Sequence, residues 1–595
     1  MKYLNFGSID KRTKIAIAFI VLLGLGSFGI KAQYVVKNAT ELNQLKEVPQ
    51  ELVHITHTGP VVFTGEYLYY AIHCFNVQTR RTSKISMVAY VALVDQNGKE
   101  IFEHKLRLER GKSRGDFFIP TSLPTGTYKL VGYTQWMKNS GTKQIYQDDV
   151  AIINPYSVAD VKVTSSKEFI QAPQSGIADS STVGLKFEKS KYGTREKVSF
   201  QLRNYKDALG AGTYSVWVKK KEDIPFKNSK KALDVVAKYS GADRDIPQKI
   251  GDNLFLPEQR GELIFGQVTD ATGSPMADQK VILSFPGAEF LLKFATTDGD
   301  GNFYTYIREV YKQDQLILQT DNENNVSIQL KEPKSLSYED LEYSQFTLKE
   351  EYKEVIQARS VHNQIENQFF EIKPDSVLLS DPYDPFDGGM PEEVFLDDFT
   401  RFPTFEETLV EILNNAGYRR GEEGATYIRI LQDFETFNEP FNNYPALVLI
   451  DGVYIPDHGS IKNFDARRIE SIKLIRDQFQ LANNDYQGMM LVSTFDGDYV
   501  EGLSAQNTAT EALVPSRSVK NYFLQDYSGV GYDRVPDYRN ILLWKPQMAI
   551  EEPSMDLHFF TSDLTGVFEV YLDGFTTFGK PISLRYEIEV MPQDP

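Results

Sequence analysis

Apolar and polar positions alternate through four short stretches, 67–75, 87–95, 117–119 and 128–136, with turn residues at Gly98, Gly111 and Pro124 to Gly126 between them. A period of two with regular punctuation predicts antiparallel strands, so residues 33–160 are expected to form a β-sandwich. The scheme recurs in KFEKSKYGTREKVSFQLRN and TYSVWVKK, which predicts a second sandwich over 183–250. Over 261–334 GELIFGQVTDATGSPMADQKVIL precedes TTDGDGNFYTYI. There Asp298-Gly299-Asp300-Gly301 supplies a hairpin turn. Strands return in RNILLWKP, MDLHFFTSD, GVFEVYLDGF and SLRYEIEVM, read as a closing sandwich over 519–595.

The period changes between these blocks. From 348 to 370 Glu, Lys, Gln and Arg dominate, a helical composition that ends before Pro374; the stretch SDPYDPFDGGMPEE reads as a linker, so 346–392 is a helical segment with an acidic connection. Residues 393–500 form the one α/β module. Pro403 opens a helix, Thr404 caps it, and Glu407 stands where a capping-box carboxylate reaches back. Phe405, Leu409, Ile412, Leu413 and Ala416 recur at helical spacing, with Gly417 as the stop. The apolar run 446–450 breaks at Asp451-Gly452, a dipeptide that tolerates positive φ at both centres of a tight hairpin. A helical turn begun by Asp465, a strand around 472–475 and a polar loop over 505–517 complete this part. The fold class is mainly β with one α/β module.

Several stretches resemble known families. TGEYLYYAIHCF, VALVDQNGKEI, LPTGTYKLVGYTQWMKN and AIINPY resemble the macroglobulin-type domain of exported bacterial multidomain proteins, and 183–250 resembles the sandwich that follows it there. Residues 261–334 resemble a carboxypeptidase-regulatory module, which implies a third β-sandwich there, small and non-catalytic. LVLIDG, RRIESIKLIRD and YQGMMLVST resemble the plug domain of TonB-dependent outer-membrane receptors. A receptor closes its plug inside a barrel of 22 strands of roughly 9–11 residues each. The residues after Asp498 are too few for that, and the plug-like module is expected to act as an interaction or spacer domain.

Composition sharpens the picture in three ways. A length of 595 residues exceeds what one core supports, so several domains are required. A net charge of −18 opposes non-specific attachment to nucleic acid or anionic lipid. A single cysteine, Cys74, allows no intramolecular disulfide. At the N-terminus Lys11, Arg12 and Lys14 precede the apolar run 15–30 and then Lys31-Ala32-Gln33. That order reads as a signal peptide over 1–32, because the run falls short of the ~20 residues of an uncleaved spanning anchor.

Protease-trapping macroglobulins carry a thioester built from a CGEQ-type run. Cys74 lies instead in HCFN on an alternating strand, which reads as a buried structural thiol. His54, His57 and His73 are the only histidines close enough in sequence to suggest zinc, but three residues apart on a strand points the first two to opposite faces. HExxH and GxSxG runs are absent. Residues 574–580 match the spacing of a phosphate loop, yet Pro581 replaces the hydroxyl residue that would hold magnesium, leaving a hairpin loop. Asp298, Asp300 and Asn302, and separately Asp381, Asp384 and Asp387, alternate as calcium ligands do; both read as solvated turns because no Glu completes an EF-hand.

The expectation is therefore no catalytic, cofactor-binding or metal-binding residue and no enzyme. The chain is expected to be an exported envelope protein, periplasmic or outer-membrane associated, that contacts protein partners and no nucleic acid. An accessory role in an outer-membrane assembly or transport complex follows from the plug resemblance. Exposed sheet edges, including the strands at 67–75 and 128–136, would offer strand addition, with sandwich core as the other use of those strands. The alternative is a carbohydrate-binding accessory or enzyme, which needs Trp136, Trp217 or Trp544 exposed for stacking.

Overall fold

The computed structural model describes residues 34–157, 180–239, 249–251, 253–287, 289–320, 326–378, 390–421, 424–481, 484–502, 507–527 and 534–592. The expected signal peptide and the acidic triplet at Asp381, Asp384 and Asp387 lie outside them. The fold is mostly β, built from mainly antiparallel sheets stacked in sandwiches.

The first sandwich is continuous in sequence. A three-stranded sheet of Glu51–His57, Tyr67–Asn76 and Lys112–Phe118 faces a five-stranded sheet ordered Val61–Phe63, Tyr146–Ile153, Gly126–Tyr133, Val88–Val94, Glu100–Arg107. Ile55, Leu68, Tyr70, Ile72, Leu93, Leu130 and Ile152, all fully buried, fill the space between. The strand expected to run to 136 stops at Tyr133, and Trp136 opens a 3-10 turn, Trp136–Ser140. Both aromatic strands are interior to their sheets and buried over most of their length, so they are core and not edges open to strand addition.

The second sandwich overturns the expected division into separate blocks at 183–250 and 519–595. One sheet is ordered Val183–Phe187, Lys197–Asn204, Ser554–Phe560. The other is ordered Lys191–Gly193, Pro581–Met591, Gly566–Thr576, Gly212–Lys220, Ile541–Ile550. The central strand Gly212–Lys220 draws both neighbours from the C-terminal part, with Trp217 opposite Trp544 on one side and Tyr571 on the other. Alternation tells which face of a strand is buried and not which strand lies beside it, so the two halves look self-sufficient in sequence. Each half alone would leave its core face bare. Together they bury Val198, Val216, Val218, Phe559, Phe568 and Val570 completely.

A third sandwich is threaded through the second in the same manner. Asn302–Ile307, Glu262–Asp270 and Val326–Leu330 form one sheet, and Leu291–Thr296, Lys280–Phe285, Gln315–Thr320 and Thr508–Ala512 the other. The last strand corrects the polar loop expected over 505–517. Its sequence, TATEA, is too polar to announce itself, and it is held by antiparallel pairing with Gln315–Thr320.

Between those strands sits the α/β insert. Its sheet runs Glu392–Phe395, Ile469–Leu481, Asn484–Thr494, Leu447–Ile450, Val453–Tyr454, with Leu447–Ile450 parallel to Asn484–Thr494. Thr404 and Glu407 form a reciprocal capping box on the helix Phe405–Glu411. That helix is shorter than its spacing predicts: Ala416 and Gly417 belong to the strand Ala416–Arg420, whose pairing with Thr426–Ile430 outweighs helix continuation. Asp451 and Gly452 both take positive φ, as the hairpin requires.

The insert is fastened to the third sandwich. Ile282 and Phe290 of the sandwich share a buried cluster with Leu447, Leu449, Tyr454, Ile475 and Met489 of the insert. Gly287 donates its amide to the Asp451 carbonyl at 2.9 Å, and a Cβ at Gly452 would stand 2.6 Å from that of Phe290. Glycine is required there twice, by its φ and by the close approach.

Candidate functional site

Residues 334–348 return to the first sandwich, where Tyr338 and Leu341 enter its core and the Tyr338 hydroxyl donates to Glu100 at 2.7 Å. The chain then forms the helix Lys353–Gln368, which closes a cleft between the first two sandwiches. The cleft has a volume of about 320 Å³.

Arg359, Asn363 and Asn367 recur every fourth position and so share one helix face. Arg359 donates through Nε at 2.8 Å and Nη2 at 2.9 Å to Glu66 of the first sandwich, and through Nη1 at 2.9 Å to Glu222 just beyond the second sandwich's strand Gly212–Lys220. Asn363 adds a bond to Glu66 at 3.0 Å, and Asn367 donates to the Gly65 carbonyl at 3.0 Å. Burial would raise the Glu66 carboxyl, but the guanidinium and these donors hold it below the usual range. The Arg359 guanidinium also lies 4.3 Å from the Phe63 ring centroid.

A second knot closes the other end of the helix. Lys373 donates to Glu366 at 2.7 Å and stands 3.6 Å from Asp537, which Arg539 grips through Nε and Nη2, both at 2.6 Å. Burial opposes ionisation of Asp537, yet Arg539 and Lys373 hold its pKa at about 2. Lys219 is buried and donates to the carbonyls of Thr58 (3.2 Å) and Gly59 (3.0 Å); desolvation lowers its pKa.

The remaining wall is aromatic. Tyr67 stacks on Tyr69 and on Phe370, each at 5.8 Å, and Tyr69 meets Trp544 at 6.1 Å. Trp136, Trp217 and Trp544 are 3%, 7% and 6% exposed, so the carbohydrate reading lacks the open indole platforms it needs.

Chemically the cleft is a joint. Glu66 and Glu222 pair with Arg359, which ties the helix to both sandwiches, and Glu366 pairs with Lys373 and accepts the Tyr538 amide at 2.5 Å. Glu66 and Arg359 are 293 positions apart in sequence, so no motif could mark them. The four-residue spacing of polar side chains on the helix was the only local signal.

The residues weighed from sequence fall elsewhere. His54 and His73 lie opposite each other on adjacent strands, but His54 bonds Asp573 of the second sandwich at 3.1 Å, while His57 donates from Nε2 to Asp148 at 2.9 Å. The Gly59 amide donates to His57 Nδ1 at 3.2 Å. His73 is buried, and desolvation lowers its pKa to about 3. Among the described residues no group of three His, Cys, Asp or Glu side chains has metal-holding geometry. Cys74 is buried, its thiol pushed well up by desolvation. Asp298 accepts the amides of Asp300 and Asn302, both at 3.0 Å, and the Lys37 ammonium at 2.8 Å, a lysine-bound turn. Residues 577–580 form the hairpin between Gly566–Thr576 and Pro581–Met591, with Gly579 at φ 77° and Lys580 donating to Thr182 at 2.6 Å. No described helix is long and apolar enough to cross a membrane.

No protein-family model and no curated protein matches the chain. Among solved structures it is similar to Escherichia coli alpha-2-macroglobulin activated by porcine elastase, at 9% identity and a TM-score of 0.23, covering 91% of this chain and 44% of that one. Salmonella alpha-2-macroglobulin reacted with methylamine gives 10% identity and a TM-score of 0.23 over 95% of this chain and 40% of that one. A tetra-tandem repeat from the extending region of a large adhesion protein gives 8% identity and a TM-score of 0.13, covering 91% and 100%. The chain thus spans less than half the length of the macroglobulins.

Proposed function

We propose that this chain is an exported, non-enzymatic protein of the bacterial envelope that works by protein–protein contact at or near the outer membrane. One observation carries this reading: Glu66, Glu222 and Arg359 in the interdomain cleft are spent on one another and hold the helix to both sandwiches. On this reading the first two sandwiches are macroglobulin-like, the third is the regulatory-type module, and residues 393–500 are a plug-like domain used for contact. An accessory subunit of an outer-membrane assembly or transport complex is the role such a frame suits. The N-terminal order of basic, apolar and small residues supports export.

Chemical cross-linking in intact cells, followed by identification of the adducts and protease shaving of the cell surface, tests the proposal. Discrete adducts with periplasmic or outer-membrane proteins are expected. Hydrolysis of a substrate by the purified chain, or its recovery without any adduct, would overturn it.

A further inference from the structure

The insert carries a corner of the molecule that no packing explains. Within 431–437, Leu431 is 39% exposed, Phe434 95% and Phe437 57%. Exposed aromatics usually sit on loose loops, but this loop is pinned from behind. Arg476, on the strand Ile469–Leu481, donates to the carbonyls of Leu431 (2.9 Å) and Gln432 (2.8 Å). Gln432 and Asn438 close the loop upon themselves through bonds of 3.0 and 2.6 Å, and Gln478 donates to the Thr436 carbonyl at 3.1 Å. The exposed Met390 belongs to the same corner, since Glu392 two residues later lies 3.5 Å from Arg476. Polar bonds thus hold the backbone while the rings face water. Burying such a ring on a partner removes apolar surface from water, and a pre-set loop loses little of that gain to ordering.

Charge selects the occupant. Asp433, Glu435 and Glu439 flank the rings, and 431–439 contains no Lys or Arg. Arg476 answers Asp433 at 3.6 Å, whereas Glu435 and Glu439 are exposed and enter no ion pair among the described residues. An anionic lipid surface would repel this rim. A second copy would bring the same acidic rim against a chain of net charge −18. We infer that the loop 431–439 is a docking element whose Phe434 and Phe437 enter an apolar pocket edged by Lys or Arg on a partner protein.

This inference rests on the interaction reading above, and its test separates the two. A photo-cross-linking phenylalanine analogue is placed at 434, at 437 or, as a control, at the half-exposed Phe578 of the second sandwich, in the full chain in its native cells. Positions 434 and 437 are expected to give one protein adduct, absent at 578, whose linked peptide borders Lys or Arg. Joint Glu435→Lys and Glu439→Lys substitution should lower the yield at least about fivefold by removing charge complementarity. Phe437→Ala should lower the 434 yield about thirtyfold, as expected of an anchor, with an unchanged melting temperature as the folding control. An adduct with lipid or with a second copy, equal yields at 434 and 578, or indifference to charge reversal would each overturn the docking loop. If whole-chain cross-linking still finds a partner in those cases, the interaction reading survives and only this assignment falls.

Discussion

The first and second sandwiches use the same architecture and differ in how the chain supplies it. Both pair a three-stranded with a five-stranded sheet. In the first, all of those strands lie between Glu51 and Ile153, and a strap at Tyr338 and Leu341 is added to its core from far away. In the second, the central strand Gly212–Lys220 has neighbours only from beyond residue 540. Equal sheets can therefore have unequal autonomy, and the difference lies in connectivity, not in composition.

The largest expected effect comes from dividing the chain at that difference. Residues 34–157 alone should give a β-type circular dichroism spectrum and a cooperative melt, lowered by loss of the strap, while residues 180–239 alone should give neither. A cooperative melt from 180–239 would break the comparison. Phe568, fully buried in the second sandwich, is next: Phe568→Ala should cost about 3–5 kcal/mol in denaturant unfolding. That loss should appear in the second sandwich's transition and spare the first's.

Glu258 sharpens the comparison through pH. It lies in the segment leading into the third sandwich, receives the Tyr90 hydroxyl of the first at 3.3 Å, and burial with nearby Glu262 raises its pKa to about 8. A carboxyl whose folded pKa exceeds its unfolded value holds a proton that the unfolded chain releases, so it favours folding at low pH. Stability from this contact should fall between about pH 4.5 and about pH 8, by at most about 1.4 kcal/mol per pH unit. Glu258→Gln should flatten that slope, read from urea midpoints across the range. The smallest effect is in the insert, where Thr404→Ala removes one half of the capping box and should cost about 1 kcal/mol, leaving both sandwiches unchanged.

Much of the local structure was legible before the fold was known. Alternation located Tyr67–Asn76 and Val88–Val94, and turn chemistry located the Thr404 cap and the Asp451-Gly452 hairpin. What was not legible is partnership. Trp217 and Trp544 each read as one residue of an alternating strand, and nothing nearby says that they face each other. Thr508–Ala512 has no apolar face of its own and exists because Gln315–Thr320 offers an edge. The cleft was hidden for the same reason: Glu66, Glu222 and Arg359 become a site only when three distant segments meet.

The nesting of the insert in the third sandwich, and of that sandwich in the second, also sets an order in time. A chain made from its N-terminus completes the insert's strands at Thr494, the third sandwich at Ala512 and the second only at Met591. Val183–Lys220 must wait with open edges while everything between is synthesised, the period in which unpaired strands aggregate. Assembly therefore proceeds from the innermost unit outward, and Pro581–Met591, the last of the described strands, closes the structure that the residues at 183 began.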